Sequence, residues 1–353
     1  MAYSAIVKPS DYFNTVTYTG TAGGQTISGV GHQPDFIWVK QRGDAGYDHS
    51  LHNSVSGLLK QLISNSTAAE ITNTDTITSN NSDGFVLGAD TAGPNANANN
   101  QDTKNYVAWN WKAGTSQTLN TGNVTSIVNF NTTAGFSIVS WTGTAGNILV
   151  SHGLGAVPKM IIFKNRSATQ EWAVYHASLG PTKYLELNQT GAAGTATNRF
   201  NNSNPDATDF IVSSDASVNG SGNSMIAYCF AEKQGYSKFG SYTGNGSTDG
   251  PFVYTGFKPA FVMTKRTDDS GGWALMDNKR PGFNLTNDYL IANGNNSEAD
   301  DGSFGMDLLS NGWKARYNNT HFNADGGNYI FMAFAEEPLV ANSGTDGVPA
   351  TAG

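Results

Sequence analysis

Three stretches of the chain alternate bulky and small side chains: YVAWNW (106–111), IAYCFAE (226–232) and FMAFAE (331–336). In an extended chain Trp109 and Trp111, Tyr228 and Phe230, and Met332 and Phe334 share one face. Asn110, Cys229 and Ala333 lie between them on the other. Such a strand packs its bulky side into a core and lets a second layer approach its small side. Three further runs are apolar on both faces and open with a proline: PDFIWVK from Pro34, PKMIIFK from Pro158 and PAFVMTK from Pro259. These predict central strands, with proline at the one position where a missing N–H costs no ladder bond. The segment SVSGLLKQLIS (54–64) carries helical spacing and predicts one short helix.

The same landmarks recur three times in the same order. Tyr18-Thr19-Gly20, Trp141-Thr142-Gly143 and Tyr242-Thr243-Gly244 come first, and the proline-led strands follow. Those strands end in Lys40 and Arg42, Lys164 and Arg166, and Lys265 and Arg266. Aromatic segments come next: Tyr47-Asp48-His49, Trp172 to His176, and Trp273 to Asp277. A Leu-x-x-Asn element begins at Leu62, Leu185 and Leu290. Gly84-Phe85, Asp209-Phe210 and Gly312-Trp313 precede the closing strands. The pattern predicts an all-β fold of three tandem β-sandwich or jelly-roll-like modules related by internal repetition. The expected boundaries are an arm at 1–13, modules at 14–114, 135–236 and 237–338, a linker at 115–134 and a tail at 339–353. Within the linker, 125–130 reads as a strand seeking a neighbour.

Composition narrows the function. Only 14% of residues are charged, and 41 are glycine, which suits short strands and tight turns and starves long helices. The net charge is −8 with no basic run, against nucleic-acid binding. No stretch approaches roughly 20 consecutive apolar residues, against membrane insertion. MAYSAIVKPSDYF at the N-terminus lacks the basic and apolar regions of a secretory signal. The single Cys229 excludes an intramolecular disulfide and a multi-thiolate metal site. Asn-x-Ser/Thr triplets at Asn65, Asn131, Asn188 and Asn318 are what chance produces in so Asn-, Ser- and Thr-rich a chain.

Several of these motifs resemble a repeat family of structural, tail-fibre-like proteins of marine tailed bacteriophages. The matching residues are Asp11-Tyr12-Phe13-Asn14, HQPDFIWVKQR (32–42), SDGFVLG (82–88), YVAWNWKAG (106–114), YHASLG (175–180), AYCFAE (227–232), FGSYTGNGSTDGPFVYTGFKPAFV (239–262) and Val348 to Thr351. The resemblance covers nearly the whole chain and implies a virion-surface component, made in the host cytoplasm and released by lysis. Only about 13 residues precede the first module, unlike a tail fibre with a long anchoring domain, so a fibre tip, a head fibre or a capsid-decorating protein fits equally.

The candidate site residues each have two readings. Trp172, Tyr175 and Trp273 are the candidate ligand-binding residues, as stacking platforms for sugar rings; their alternative is the core, which large aromatics dominate. The repeated Lys and Arg at the strand ends read as solvated caps or as partners of a nearby Asp, with an anion site as the lesser reading. Asn80-Asn81-Ser82-Asp83 and the run from Asn295 to Asp301 offer oxygen ligands for Ca²⁺, although turn chemistry alone explains them, and no other cofactor or metal is expected. Asp48, His49 and His52 cluster without a nucleophile motif. The carboxylates Asp35, Glu171, Asp277 and Glu336 do not recur as a pair, and Ala113 stands where Glu232 and Glu336 match. The expectation is therefore a non-enzymatic adhesin that binds a host-surface glycan or protein, held among other virion proteins as a homo-oligomer, a trimer being favoured. A capsid-decorating protein and a surface-polysaccharide hydrolase are the alternatives.

Overall fold

The computed structural model describes residues 4–349, apart from 94, 282, 283, 301, 303 and 343–346. It is all-β and antiparallel; Ala216–Asn219 is the one α-helix among the described residues. Three large sheets share one strand order. The first runs Phe13–Thr19, Asn105–Trp111, Phe36–Gln41, Ser50–Asn53. The second repeats it with Phe136–Thr142, Ser224–Ala231, Pro158–Asn165 and Ala173–His176, and the third with Ser237–Thr243, Asn328–Pro338, Phe257–Arg266 and Ala274–Asp277. In each, the alternating closing strand lies between the strand that opens the repeat and the proline-led strand. Trp111, Phe230 and Phe334 occupy one register position, facing Phe36, Met160 and Phe261 across the ladder.

The small face of each closing strand packs on a small second sheet of its own repeat. The first pairs Gln25–Ile27 with Gly84–Leu87, the second Ile148–Ser151 with Asp209–Val212, and the third Phe252–Tyr254 with Gly312–Ala315. Ala108, Cys229 and Ala333 accordingly lie in three separate local cores with Phe85, Phe210 and Trp313. The bulky faces behave differently. Trp109, Trp111, Tyr228, Phe230, Met332 and Phe334 all belong to one core common to the three sheets. At its centre the rings of Trp111, Phe230 and Phe334 form a triangle with centroids 6.4, 5.7 and 6.1 Å apart. Each sheet has its own inner layer on one side and shares a pseudo-three-fold core on the other.

One local expectation changes, and two other segments gain detail. Residues 54–64 form turns and the short strand Lys60–Gln61, with no helix. Leu62 bridges Leu51 instead, and Gly57 at φ +92° interrupts the run. The strand expected at 125–130 forms as Ser126–Asn131 and pairs with Phe136–Thr142, and a further strand, Ser116–Leu119, extends the second sheet beyond it. In the tail, Val340–Asn342 pairs with Gly347–Pro349.

Candidate functional site

Several of the residues singled out in the sequence meet at the seams between repeats. His49, Trp172 and Trp273 each stand just before a four-residue strand, and each donates its ring N–H to the same backbone position of a neighbouring repeat. Trp172 Nε1 reaches the Ile63 carbonyl at 2.9 Å, Trp273 Nε1 the Glu186 carbonyl at 2.9 Å, and His49 Nε2 the Ile291 carbonyl at 3.0 Å. The indole of Trp38 donates to His49 Nδ1 at 2.9 Å, which fixes the tautomer. The Leu-x-x-Asn element explains itself here: Asn65, Asn188 and Asn293 accept the backbone N–H of His49, Trp172 and Trp273.

The last residue of the same strand closes the seam in the other direction. Asn53 donates to the Tyr228 hydroxyl at 3.2 Å, His176 Nε2 faces the Phe331 carbonyl at 3.4 Å, and Asp277 accepts from Trp109 Nε1 at 3.0 Å. The bonds run from first to second, second to third and third to first repeat, so the ring is closed. Backbone pairs Gly46 to Asn295, Gln170 to Thr67 and Gly271 to Thr190 repeat the pattern.

These contacts decide the candidate residues. Trp172 and Trp273 are buried at seams, and Tyr175 is buried in the second local core, its hydroxyl on Asn204 and its pKa pushed up to about 12 by burial. None of the three presents a ring to solvent. Lys40, Lys164 and Lys265 are buried rather than solvated, and burial pulls each ammonium down to about 8. Neighbouring repeats supply carbonyls for two of them: Thr67 for Lys164 at 2.8 Å and Gly191 for Lys265 at 2.8 Å. Arg42 and Arg166 pair across seams with Glu298 and Glu70, whereas Arg266 stays with Asp268 in its own repeat.

The remaining polar candidates are absorbed locally. His52 sits between Ser50 Oγ and the Leu58 carbonyl, and burial lowers it to about 4. Asp277 also grips Arg280 at 2.8 Å, with both side chains fully buried. Asp35 accepts from the Ala113 and Gly114 amides, Glu171 from Asn188, and Glu336 pairs with Lys258. Asp83 accepts from Gly29 and Gly31, which holds its carboxyl below the usual range, and Asn81 caps the same turn. In the second Asn/Asp-rich run Asn295 and Glu298 are seam residues; Asp301 lies outside the described residues.

One set was missed in the sequence. Asn100, Asn219 and Asn323 are fully buried and each accepts the backbone N–H that follows a Thr-Gly pair, at Thr21, Thr144 and Asn245. All three stand five residues before their closing strand, a spacing the sequence does display.

The surface feature with the most distinct chemistry lies where the second and third repeats meet. A cleft of about 320 Å³ is lined by Glu232, Gln234, Lys238, Tyr254 and Thr255, among others. Glu232 and Lys238 pair at 2.7 Å on its wall and stay partly exposed. Tyr254 is 57% exposed, and Phe252, two residues along the same edge strand, is 45% exposed. Among the described residues these two are the aromatic side chains that stand exposed.

The fold and the seams define a class: an all-β protein in which three equivalent sheets close around one core and lock through equivalent side-chain bonds. The chain belongs to the family described as Domain of unknown function (DUF7483), whose model matches residues 8–338. That span takes in all three sheets and every seam. No curated protein and no solved structure matches the chain. Among the described residues no helix is long and apolar enough to cross a membrane.

Proposed function

We propose that this chain is a non-catalytic attachment protein of a phage particle, a rigid body that carries exposed loops and edge strands to a host surface. The observation that carries the reading is the use made of the reactive side chains. His49, Asp277 and Lys164 are tied into buried seam bonds, where they hold the body together. A body locked at three seams keeps its surface pre-organised, so binding there loses little to loop ordering. The resemblance of the strand and turn motifs to structural proteins of marine tailed phages supports the virion setting. Assembly into a trimer would multiply weak contacts through effective concentration.

The test is binding of fluorescently labelled protein to a panel of marine bacterial strains, with purified phage capsids as the parallel surface. Selective binding to some strains is the expected outcome. Binding to capsids alone would replace the adhesin by a decorating protein. Release of reducing sugar from surface polysaccharide would replace it by a hydrolase.

A further inference from the structure

We infer that the junction of the second and third repeats carries a glycan-binding site formed by Phe252, Tyr254 and the Glu232–Lys238 pair. This names the ligand class and the place for the attachment activity proposed above and rests on that reading.

The three repeats serve as controls for one another. Ile27, Val150 and Val253 are equivalent: each is buried and lies opposite Phe85, Phe210 or Trp313 in the small sheet. The flanking positions are Thr26 and Ser28 in the first repeat, Leu149 and Ser151 in the second, and Phe252 and Tyr254 in the third. The same small sheet therefore forms with threonine, serine or leucine there. Folding does not call for an aromatic at either position, yet the third repeat places two, and both face water.

Their setting is specific. Residues two apart on a strand point the same way, roughly 7 Å apart, so the two rings line one face of an edge strand. At Gly312 a Cβ would meet first the Val253 carbonyl oxygen at 2.2 Å and then the Phe252 ring at 2.9 Å, so the ring lies over a glycine that the strand pairing already requires. Gly256, at φ +81°, turns the chain just after Tyr254. Next to Tyr254 the cleft turns polar at once, with Glu232 and Lys238 partly exposed.

A sugar ring matches that juxtaposition. Its C–H face stacks on an aromatic while its hydroxyls, at the ring edge, donate to a carboxylate and accept from an ammonium. An anionic ligand fits less well beside Glu232 on a chain of net charge −8. An apolar peptide would leave the ion pair desolvated and uncompensated. The cleft volume lies within the roughly 300–1,000 Å³ of small-ligand sites, which suits a neutral saccharide unit with neighbouring hydroxyls.

The test uses the full chain on bacterial strains that bind it, before and after periodate oxidation of the cells, which cleaves vicinal diols. Expected are loss of binding after periodate and a weakening of about tenfold or more in Tyr254→Ala, the scale of a lost stacking contact with its bound partner. Glu232→Gln should weaken binding too, while Tyr254→Phe, which keeps the ring, should retain most of it. Leu149→Ala, at the equivalent place in the second repeat, should bind as wild type. All variants should melt near the wild-type temperature, and Tyr254→Phe and Glu232→Gln keep the test decisive if an alanine variant does not fold. Binding that survives periodate, or a Tyr254→Ala, Phe252→Ala double variant that binds as wild type, overturns the glycan site and leaves attachment standing. Binding to capsids alone, or to no cell at all, overturns both.

Discussion

Truncating Trp111 to alanine tests whether the three sheets are one unit. Trp111 is 1% exposed and touches rings from all three: Phe36 at 5.2 Å, Phe230 at 6.4 Å and Phe334 at 5.7 Å between centroids. Its indole N–H has no hydrogen-bond partner among the described residues, so the loss is one of packing alone. A buried Trp→Ala change costs about 3–5 kcal/mol. Unfolding entropy is about 2.1 cal/mol/K per residue, or about 0.7 kcal/mol/K for roughly 330 residues, so a loss of about 4 kcal/mol lowers Tm by about 6 °C. Were the first repeat of roughly 100 residues to melt alone, the same loss would lower its transition by about 20 °C. Differential scanning calorimetry separates the two. One transition, shifted by several degrees and carrying the whole enthalpy, is expected. A separate early transition with about a third of the enthalpy would refute the shared core as the source of cooperativity.

Three further outcomes are expected. Gly143→Ala should destabilise by several kcal/mol in urea titration, because its Cβ would stand 2.2 Å from the Gly220 carbonyl oxygen; Gly146→Ala, whose nearest contact is 3.8 Å away, should not. Burial raises Asp90 to about 7, so its contribution is full below its ordinary 3.8 and is lost as pH rises through about 7. Asp90→Asn should therefore stabilise the protein at pH 8 and change little near pH 3.5; the φ of +55° there favours Asn as well. Burial also pulls His32, His52 and His176 down to about 4, so the urea midpoint should fall as pH drops from about 6.5 towards 4.

The strands and their order along each repeat were legible because period-two alternation and the Thr-Gly turns state local demands. Gly20, Gly143 and Gly244 had to be glycine, since a Cβ at each would lie 2.1–2.3 Å from a carbonyl oxygen. Alternation tells which face of a strand is bulky. It does not tell whether that face meets a layer of its own repeat or two other repeats. Trp111 would look the same in either case. The buried lysines escaped for a related reason: a Lys at a strand end is normally solvated. Lys164 and Lys265 are buried because a loop of another repeat offers carbonyls, and no local window contains both partners. The helical spacing at 54–64 lost to the Leu51–Leu62 bridge, a tertiary pairing that overrides propensity.

The candidate ligand residues teach the sharper lesson about repeats. A side chain that recurs at equivalent positions answers a demand all copies share, and the demand they share is folding. Trp172 and Trp273 recur, with His49 in the same bonding role, and they hold seams. Asn65, Asn188 and Asn293 recur, and they cap the same turn of chain. Recurrence is evidence of scaffold. Chemistry particular to one copy has no such explanation, and it is strongest where the departure adds exposed apolar area that costs solubility and gains nothing in packing. Phe252 and Tyr254 depart in that way from Thr26 and Ser28 and from Leu149 and Ser151. Glu232 departs less, since Glu336 matches it and Ala113 does not, but only Glu232 sits beside an exposed aromatic on the same cleft. In a chain that folds by repeating itself three times, the positions where one copy breaks the pattern at the surface are where function is to be sought.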